Sequence, residues 1–416
     1  MKKLLQTSTL ILILLVCLSA CKNVQKGDNT KSREANTEKS NVNISFKLKG
    51  IWSAVPSIDI FGDAQGCDLL LSTSSKIATK RSRIPNEKEF TIVGNIKEPV
   101  VIRFYFPIDR QFVKSVDGNG YMPVKCAQMF MVLVPGANYT VSGDLTAKDF
   151  VDLYPAEDTE NINLSKLTSQ IMPLLNKGTN AYIKLARLGK KATKIQTKEL
   201  NAISEECNKK VSDIKQAFLK ENASSIAGLW LMEDMIIRSQ IEFKDLETIF
   251  NTVDANKYGD NYFYKTIKSR IEGAKKSAVG SMCPPVFGKD IVSGEDIKLA
   301  DFKGKYLLID FWGTWCGACI AGMPEMKKFA DAHKNKLVLL GLAKDNDIKL
   351  VKTSMKRNHI TWKNMLIGDG DRDFVAKFNV QGFPTKILVD PEGKIVLRFT
   401  GEDPSFYKNM EKILSK

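Results

Sequence analysis

Residues 307–319 read LLIDFWGTWCGAC, from Leu307 to Cys319. An apolar run suited to a buried strand ends in Asp310. Trp312 and Trp315 then bracket a turn, and Cys316 and Cys319 follow three apart. A Cys-x-x-Cys between a strand and a helix start is a dithiol–disulfide site. A helix N-terminus carries unpaired N–H groups and a partial positive charge, and both stabilise a thiolate. Cys316 is expected to sit there as the nucleophile. Cys319, one turn further on, is placed to close the intramolecular disulfide. Zinc is the rival reading of any Cys-x-x-Cys. It needs four ligands, and this chain has no second Cys-x-x-Cys and only two histidines, His333 and His359. No metal and no cofactor are expected.

The longer run KGKYLLIDFWGTWCGAC…MPEM, Lys303 to Met326, resembles the TlpA/ResA branch of the thioredoxin superfamily. The resemblance implies an envelope thiol–disulfide oxidoreductase. It also implies a cis proline facing the dithiol, and Gln381-Gly382-Phe383-Pro384-Thr385, before an expected strand Lys386–Asp390, fits that place. A cis X-Pro bond costs little and fixes a tight turn. The Phe383 backbone would then be free to pair with an extended substrate peptide. Asp310 matches the acid that in thioredoxin is buried behind the second cysteine and helps to move its proton. Burial raises a carboxyl pKa, which suits proton exchange near neutral pH. Trp312, Trp315, Gly317, Ala318 and Phe383 are the expected substrate-groove residues. Gly317-Ala318 departs from the family's common Gly-Pro. Cys283, in the hinge GSMCPPVF (280–287), stands where the family has alanine. It is either an extra redox thiol or a small apolar substitute, and the second is expected.

The N-terminus points to a compartment. Lys2 and Lys3 precede an apolar run, Leu10–Leu18, too short to span a membrane. Leu18-Ser19-Ala20-Cys21 resembles a bacterial lipobox, which implies cleavage before Cys21, its lipidation, and anchorage in a lipid bilayer. Residues 22–42 are polar and read as a flexible tether. Localisation in the cell envelope, facing the periplasm, follows. An oxidising envelope permits disulfides, and the spacing leaves the pairing of Cys67, Cys126, Cys207 and Cys283 open. Cys207 falls in the series Leu200, Ile203, Cys207, Val211, Ile214, Phe218 and is expected as a buried structural thiol on a helix stripe.

A chain of 416 residues, 43% apolar, holds two to three domains with real cores. The net charge is +15, but the lysines are scattered and never interleave with aromatics. A solvated basic surface is expected, and no nucleic-acid partner. The expected fold class is multi-domain. Residues 43–155 should form an all-β, sandwich-like domain, from short runs such as Ile44–Lys49, Asp68–Leu71, Glu89–Val93, Val100–Tyr105, Met129–Val134 and Asn138–Ser142. The run FTIVGNIKEPVVIRFYF…FMVLVPGANYTVSGDL resembles the DUF4369 domain. Residues 156–280 read as helical, with Ser224 or Ser225 as an N-cap. Residues 281–416 alternate strands and helices, as a thioredoxin fold does. In order, these are a strand Tyr306–Phe311, a helix Cys316–His333, a strand Leu337–Ala343, helices Asp347–Asn358 and Asp371–Phe378, and a closing hairpin before a last helix Ser405–Leu414.

The function that follows is disulfide exchange with protein substrates in the envelope, with a separate redox partner recycling the dithiol. Two alternatives stay open. A peroxiredoxin-like peroxidase usually has Thr or Ser three residues before its reactive cysteine, where this chain has Gly313. A ligand- or partner-binding envelope lipoprotein would use the β and helical domains and leave the dithiol secondary.

Overall fold

The computed structural model describes residues 40–416 apart from 51–56, 72–75, 78–81, 84–87, 107–111, 115–120, 124–126, 156–157, 239, 402–404 and 416. The signal, the Cys21 lipobox, most of the tether and Cys126 lie outside the described residues.

Strand Val42–Lys49 buries every second residue, Val42, Ile44, Phe46 and Leu48. That is the period of a strand with one face on a core. It lies between Asn138–Asp144, parallel to it, and Glu89–Ile96, antiparallel, and Cys67–Leu71 completes a four-stranded sheet. A second four-stranded sheet runs in the order Ser82–Arg83, Ser57–Phe61, Val100–Tyr105, Gln128–Leu133. The two sheets share one core, in which Phe46 stacks on Phe90 at 4.4 Å and meets Phe104 edge-on at 5.0 Å. The second sheet is buried on both faces. Ile102 and Met131 face the first sheet, and Val101 and Val132 face the helices. Strand Ser57–Phe61 is absent from the sequence expectation because its first four residues are all buried, so it shows no alternation.

Six helices follow: Thr159–Leu188, Lys194–Asn222, Ile226–Ile237, Phe243–Phe250, Ala255–Tyr258 and Tyr262–Lys276. Polar caps set their starts. Asp158 accepts from the N–H of Asn161, Thr193 forms a capping box with Gln196, and Ser225 accepts from the N–H of Gly228. Between the two choices at the third start, Ser225 is the cap. Cys207 is buried where the first two helices meet; a methyl on Gly178 would come 3.1 Å from its Cβ. Trp230 sits 4.5 Å from Phe130 and locks the helices to the second sheet.

The C-terminal sheet has five strands in the order Lys363–Leu366, Leu337–Ala343, Tyr306–Trp312, Thr385–Val389, Ile395–Thr400. The first three are parallel, Thr385–Val389 is antiparallel to them, and Ile395–Thr400 is antiparallel to Thr385–Val389. The central strand divides its residues by parity. Leu308 and Trp312 pack with Cys316, Cys319 and Met323; Leu307, Ile309 and Phe311 pack with Phe374 and Phe378. Helix Gly317–Ala332 lies on the first face. The expected helix Asp371–Phe378 is shorter: a 3-10 turn, Gly370–Arg372, precedes a helix confined to Phe374–Lys377. The cause is Asp373, whose carboxylate accepts the N–H of Ala376 and restarts the helix there. Among the described residues no helix is long and apolar enough to cross a membrane.

Candidate active site

The central strand ends at Trp312, and the turn Gly313-Thr314-Trp315 delivers Cys316 to the N-cap of helix Gly317–Ala332. The Cys316 Sγ accepts the N–H of Cys319 at 3.1 Å. It therefore sits where orphan N–H groups and the helix dipole favour a thiolate. A disulfide joins Cys316 to Cys319, with Cα atoms 5.3 Å apart.

Neighbouring loops hold the turn. The carboxylate of Asp345 accepts the N–H of Thr314 at 2.8 Å and its hydroxyl at 3.0 Å. Trp315 donates its indole N–H to Lys344 O at 3.0 Å. A Cβ on Gly313 would meet that indole nitrogen at 2.6 Å. The position that would carry a peroxidase's Thr or Ser is thus covered by the Trp315 indole.

Trp315 is 60% exposed and packs edge-on against Phe383 at 5.1 Å. Phe383 precedes Pro384, and the bond between them is cis. Phe383 also packs against the cluster that holds both cysteines. Gly317 and Ala318 are exposed at the helix start, and nothing lies within 4 Å of where a Gly317 side chain would begin. Trp315, Gly317 and Ala318 are exposed around the dithiol, with the half-buried Phe383 against Trp315.

Trp312 does not join them, which corrects the sequence expectation. It is 0% exposed, and its indole N–H donates to Asn364 Oδ1 at 2.8 Å. The strand runs one residue further than expected, since Trp312 O accepts the N–H of Lys344, so Trp312 keeps the inward parity of Leu308. The site Asn364 occupies is tight: a Cβ on Gly341 would fall 1.7 Å from its Oδ1.

Asp310 is 2% exposed and shares its parity with Leu308 and Trp312, the face on which the dithiol helix packs. Its direct antiparallel partner is Lys386, also 2% exposed. A buried acid and a buried base therefore stand opposite each other in the sheet. Sequence reasoning missed Lys386. Its signal was a lone charge in the apolar strand Thr385–Val389, whose other residues are all buried. Asp345 and Asn364 were missed as well.

Among the described residues, burial disfavours the thiolate at two further cysteines. Burial pushes the Cys283 thiol up to about 12. Burial, then the charges of Asp63 and Glu98, push Cys67 up to about 11. Both are buried, as is Cys207, and none of the three is in a disulfide. Cys283 fits the reading as a small apolar substitute.

A protein-family model described as Redoxin matches residues 278–414. Over 143 residues the chain is 30% identical to the thiol-disulfide oxidoreductase ResA of Bacillus thuringiensis subsp. konkukian, covering 34% of this chain and 80% of that protein. Over 137 residues it is 31% identical to ResA of Bacillus subtilis, covering 33% of this chain and 75% of that one. Among solved structures, the thioredoxin domain of a thiol-disulfide oxidoreductase from Bacteroides vulgatus is 34% identical. That match covers 33% of this chain and 98% of the other, with a TM-score of 0.31.

Proposed function

The chain belongs to the ResA family of thiol-disulfide oxidoreductases and is a thioredoxin-like oxidoreductase; from that premise we propose that Cys316 and Cys319 exchange disulfides with protein substrates in the bacterial cell envelope. The observation that carries the reading is the Cys316 sulfur at a helix N-terminus, beside the exposed Trp315 and its ring partner Phe383.

In the reducing direction the Cys316 thiolate attacks one sulfur of a substrate disulfide. The S–S bond breaks, one substrate thiolate leaves, and a mixed disulfide forms. Cys319 loses its proton and attacks the Cys316 sulfur. The second substrate thiolate leaves, and the Cys316–Cys319 disulfide forms. Two electrons pass to the substrate. Asp310, which shares the strand parity of Leu308 and Trp312, would take the Cys319 proton. An extended substrate would lie along the backbone at Phe383, ahead of Pro384, with Trp315, Gly317 and Ala318 as the facing rim. A second redox protein would return the dithiol to its starting state.

The Cys21 lipobox, with residues 21–42 as tether, would hold the protein to a lipid bilayer in the envelope. Residues 43–155, as a DUF4369-like β domain, and residues 156–280, as a helical domain, would stand between that anchor and the redox domain at 281–416. The two sheets with a shared core and the helix set that follows them are consistent with this division.

Trapping tests the exchange step. Cys319→Ser keeps the attacking thiol and removes the resolving one, so mixed disulfides should accumulate on a non-reducing gel of membrane fractions. They should vanish on reduction and in Cys316→Ser/Cys319→Ser. A Cys319→Ser chain that traps neither envelope proteins nor added insulin refutes the mechanism.

A further inference from the structure

Helix Tyr262–Lys276 reaches the loop that leads into the Phe383-Pro384 turn, and it does so with a buried charge. Arg270 donates from Nη1 to Val380 O at 3.2 Å, across 110 residues of sequence. Arg398, on strand Ile395–Thr400, donates from Nη1 to Phe378 O and from Nη2 to Asn379 O, each at 2.7 Å. Three consecutive carbonyls, 378, 379 and 380, thus each take a guanidinium N–H. They begin at Phe378, the C-cap of the short helix Phe374–Lys377, and run on into the loop beyond it. Asn379 adopts a left-handed backbone, φ +45°, which turns the chain toward Gly382. Past Gly382 the turn is closed by Thr385, whose hydroxyl donates to Gly382 O at 2.7 Å.

The helical region meets this loop at a second point. Gly273 lies so close to helix Phe374–Lys377 that a Cβ there would fall 2.1 Å from Ala376 O and 2.9 Å from Lys377 O. Ser277, the C-cap of the same helix, accepts from Arg398 Nη1 at 3.3 Å. Arg270, Gly273 and Ser277 are spaced three and four apart, so one helix face carries all three contacts.

We propose that Arg270 is a positioning residue for disulfide exchange: the helical region braces, from behind, the backbone that presents Phe383 to the substrate. The inference rests on the proposed function only for its consequence in turnover. The bracing itself is a structural statement. It gives the helical region a role in the chemistry although none of the expected groove residues lies on it. A charge-assisted hydrogen bond fixes the register of the loop more firmly than apolar packing alone. The loop's backbone must be held in place if it is to pair with a substrate strand without first being ordered.

Hydrogen exchange of the full-length protein tests the bracing without any turnover. Losing a hydrogen bond to a charged donor should raise local opening about tenfold or more. In Arg270→Ala the amides of 378–380, which donate to Phe374 O, Ala376 O and Val375 O, should therefore exchange at least about tenfold faster, while those of 307–311 stay within twofold of wild type. Arg270→Lys keeps a donor and should recover part of the protection. Gly273→Ala pushes the same helix away without touching any charge and should raise exchange at the same amides. It also carries the test if Arg270→Ala fails to fold. In insulin reduction the loss should fall on KM more than on kcat, a split that a general loss of stability would not give. Unchanged exchange at 378–380 in the variants overturns the proposal, as does an equal rise at 307–311. A wild-type chain that reduces no insulin would overturn the proposed function and leave the exchange result standing.

Discussion

Lys386→Met should destabilise the protein strongly, and Asp310→Asn in the same chain should largely undo the damage. The two residues are direct partners in the antiparallel register, and each is 2% exposed. Side chains opposite each other across such a pair have Cβ atoms about 4.5–5.5 Å apart. Opposite charges about 5 Å apart, at an effective permittivity of about 20, attract by about 3 kcal/mol. Removing one member leaves the other charge buried alone, which costs about 3–5 kcal/mol. The double variant replaces the pair by neutral groups and should lie within about 1–2 kcal/mol of wild type. The coupling energy of the cycle should therefore be about 2–3 kcal/mol or more, well above the scatter of about 0.5 kcal/mol for independent sites. Urea unfolding at pH 7 of the full-length oxidised protein measures it, followed by the near-ultraviolet signal of the buried aromatic residues. Additive single-variant costs would refute the pairing and with it the view that Lys386 balances Asp310.

Glu233, on helix Ile226–Ile237, is raised from 4.5 to about 7 by burial; Arg270 pulls it down, and Asp234 and Asp373 push it up. The folded state then holds a proton more tightly than the unfolded chain, so this group's contribution is full below about pH 4.5 and falls as pH rises through 7, by up to about 3 kcal/mol. Glu233→Gln should gain Tm relative to wild type between pH 5 and pH 8, and a constant difference across that range would contradict the assignment. At pH 8, a thiol at about 11 has about one part in a thousand as thiolate and one at about 12 about one in ten thousand. Iodoacetamide should therefore modify Cys316 in the reduced native protein and spare Cys67 and Cys283. Mass spectrometry finding Cys283 labelled as fast as Cys316 would rule that out.

The site's chemistry is legible in the sequence where it is local. Cys316 and Cys319 lie three residues apart at a strand–helix junction, and Gly-Phe-Pro-Thr immediately precedes a strand. The N-terminal strands are legible for the same reason. Val42–Lys49 alternates buried and accessible residues along its length, and period two can be read without knowing any partner. Where alternation fails, so does the reading. Ser57–Phe61 is buried nearly throughout because it lies inside the second sheet. Ending the central strand one residue early puts Trp312 in the groove. In a strand, one residue exchanges an outward side chain for an inward one, so Trp312 keeps the inward parity of Leu308, whereas Trp315 lies in the turn beyond the strand and is exposed.

What escapes the sequence has a common physical character. Asp345 holds Thr314 across 31 residues, Asn364 holds Trp312 across 52, and Arg270 holds Val380 across 110. None of these separations leaves a periodic trace, so no window can find the partner. The position itself is still informative. Arg270 shares a helix with the buried Phe263, Ile267 and Ile271, at spacings that place it on the same stripe. Lys386 interrupts a strand that is otherwise buried and apolar. A charge in such a place is too costly to leave unpaired. A lone cation on an apolar stripe therefore forecasts a distant acceptor from the residue pattern alone. In this chain Arg270 finds its acceptor on the loop before Phe383, and Lys386 stands opposite Asp310 just after Pro384. Both positions lie around one turn, and neither partner could be assigned from a local pattern.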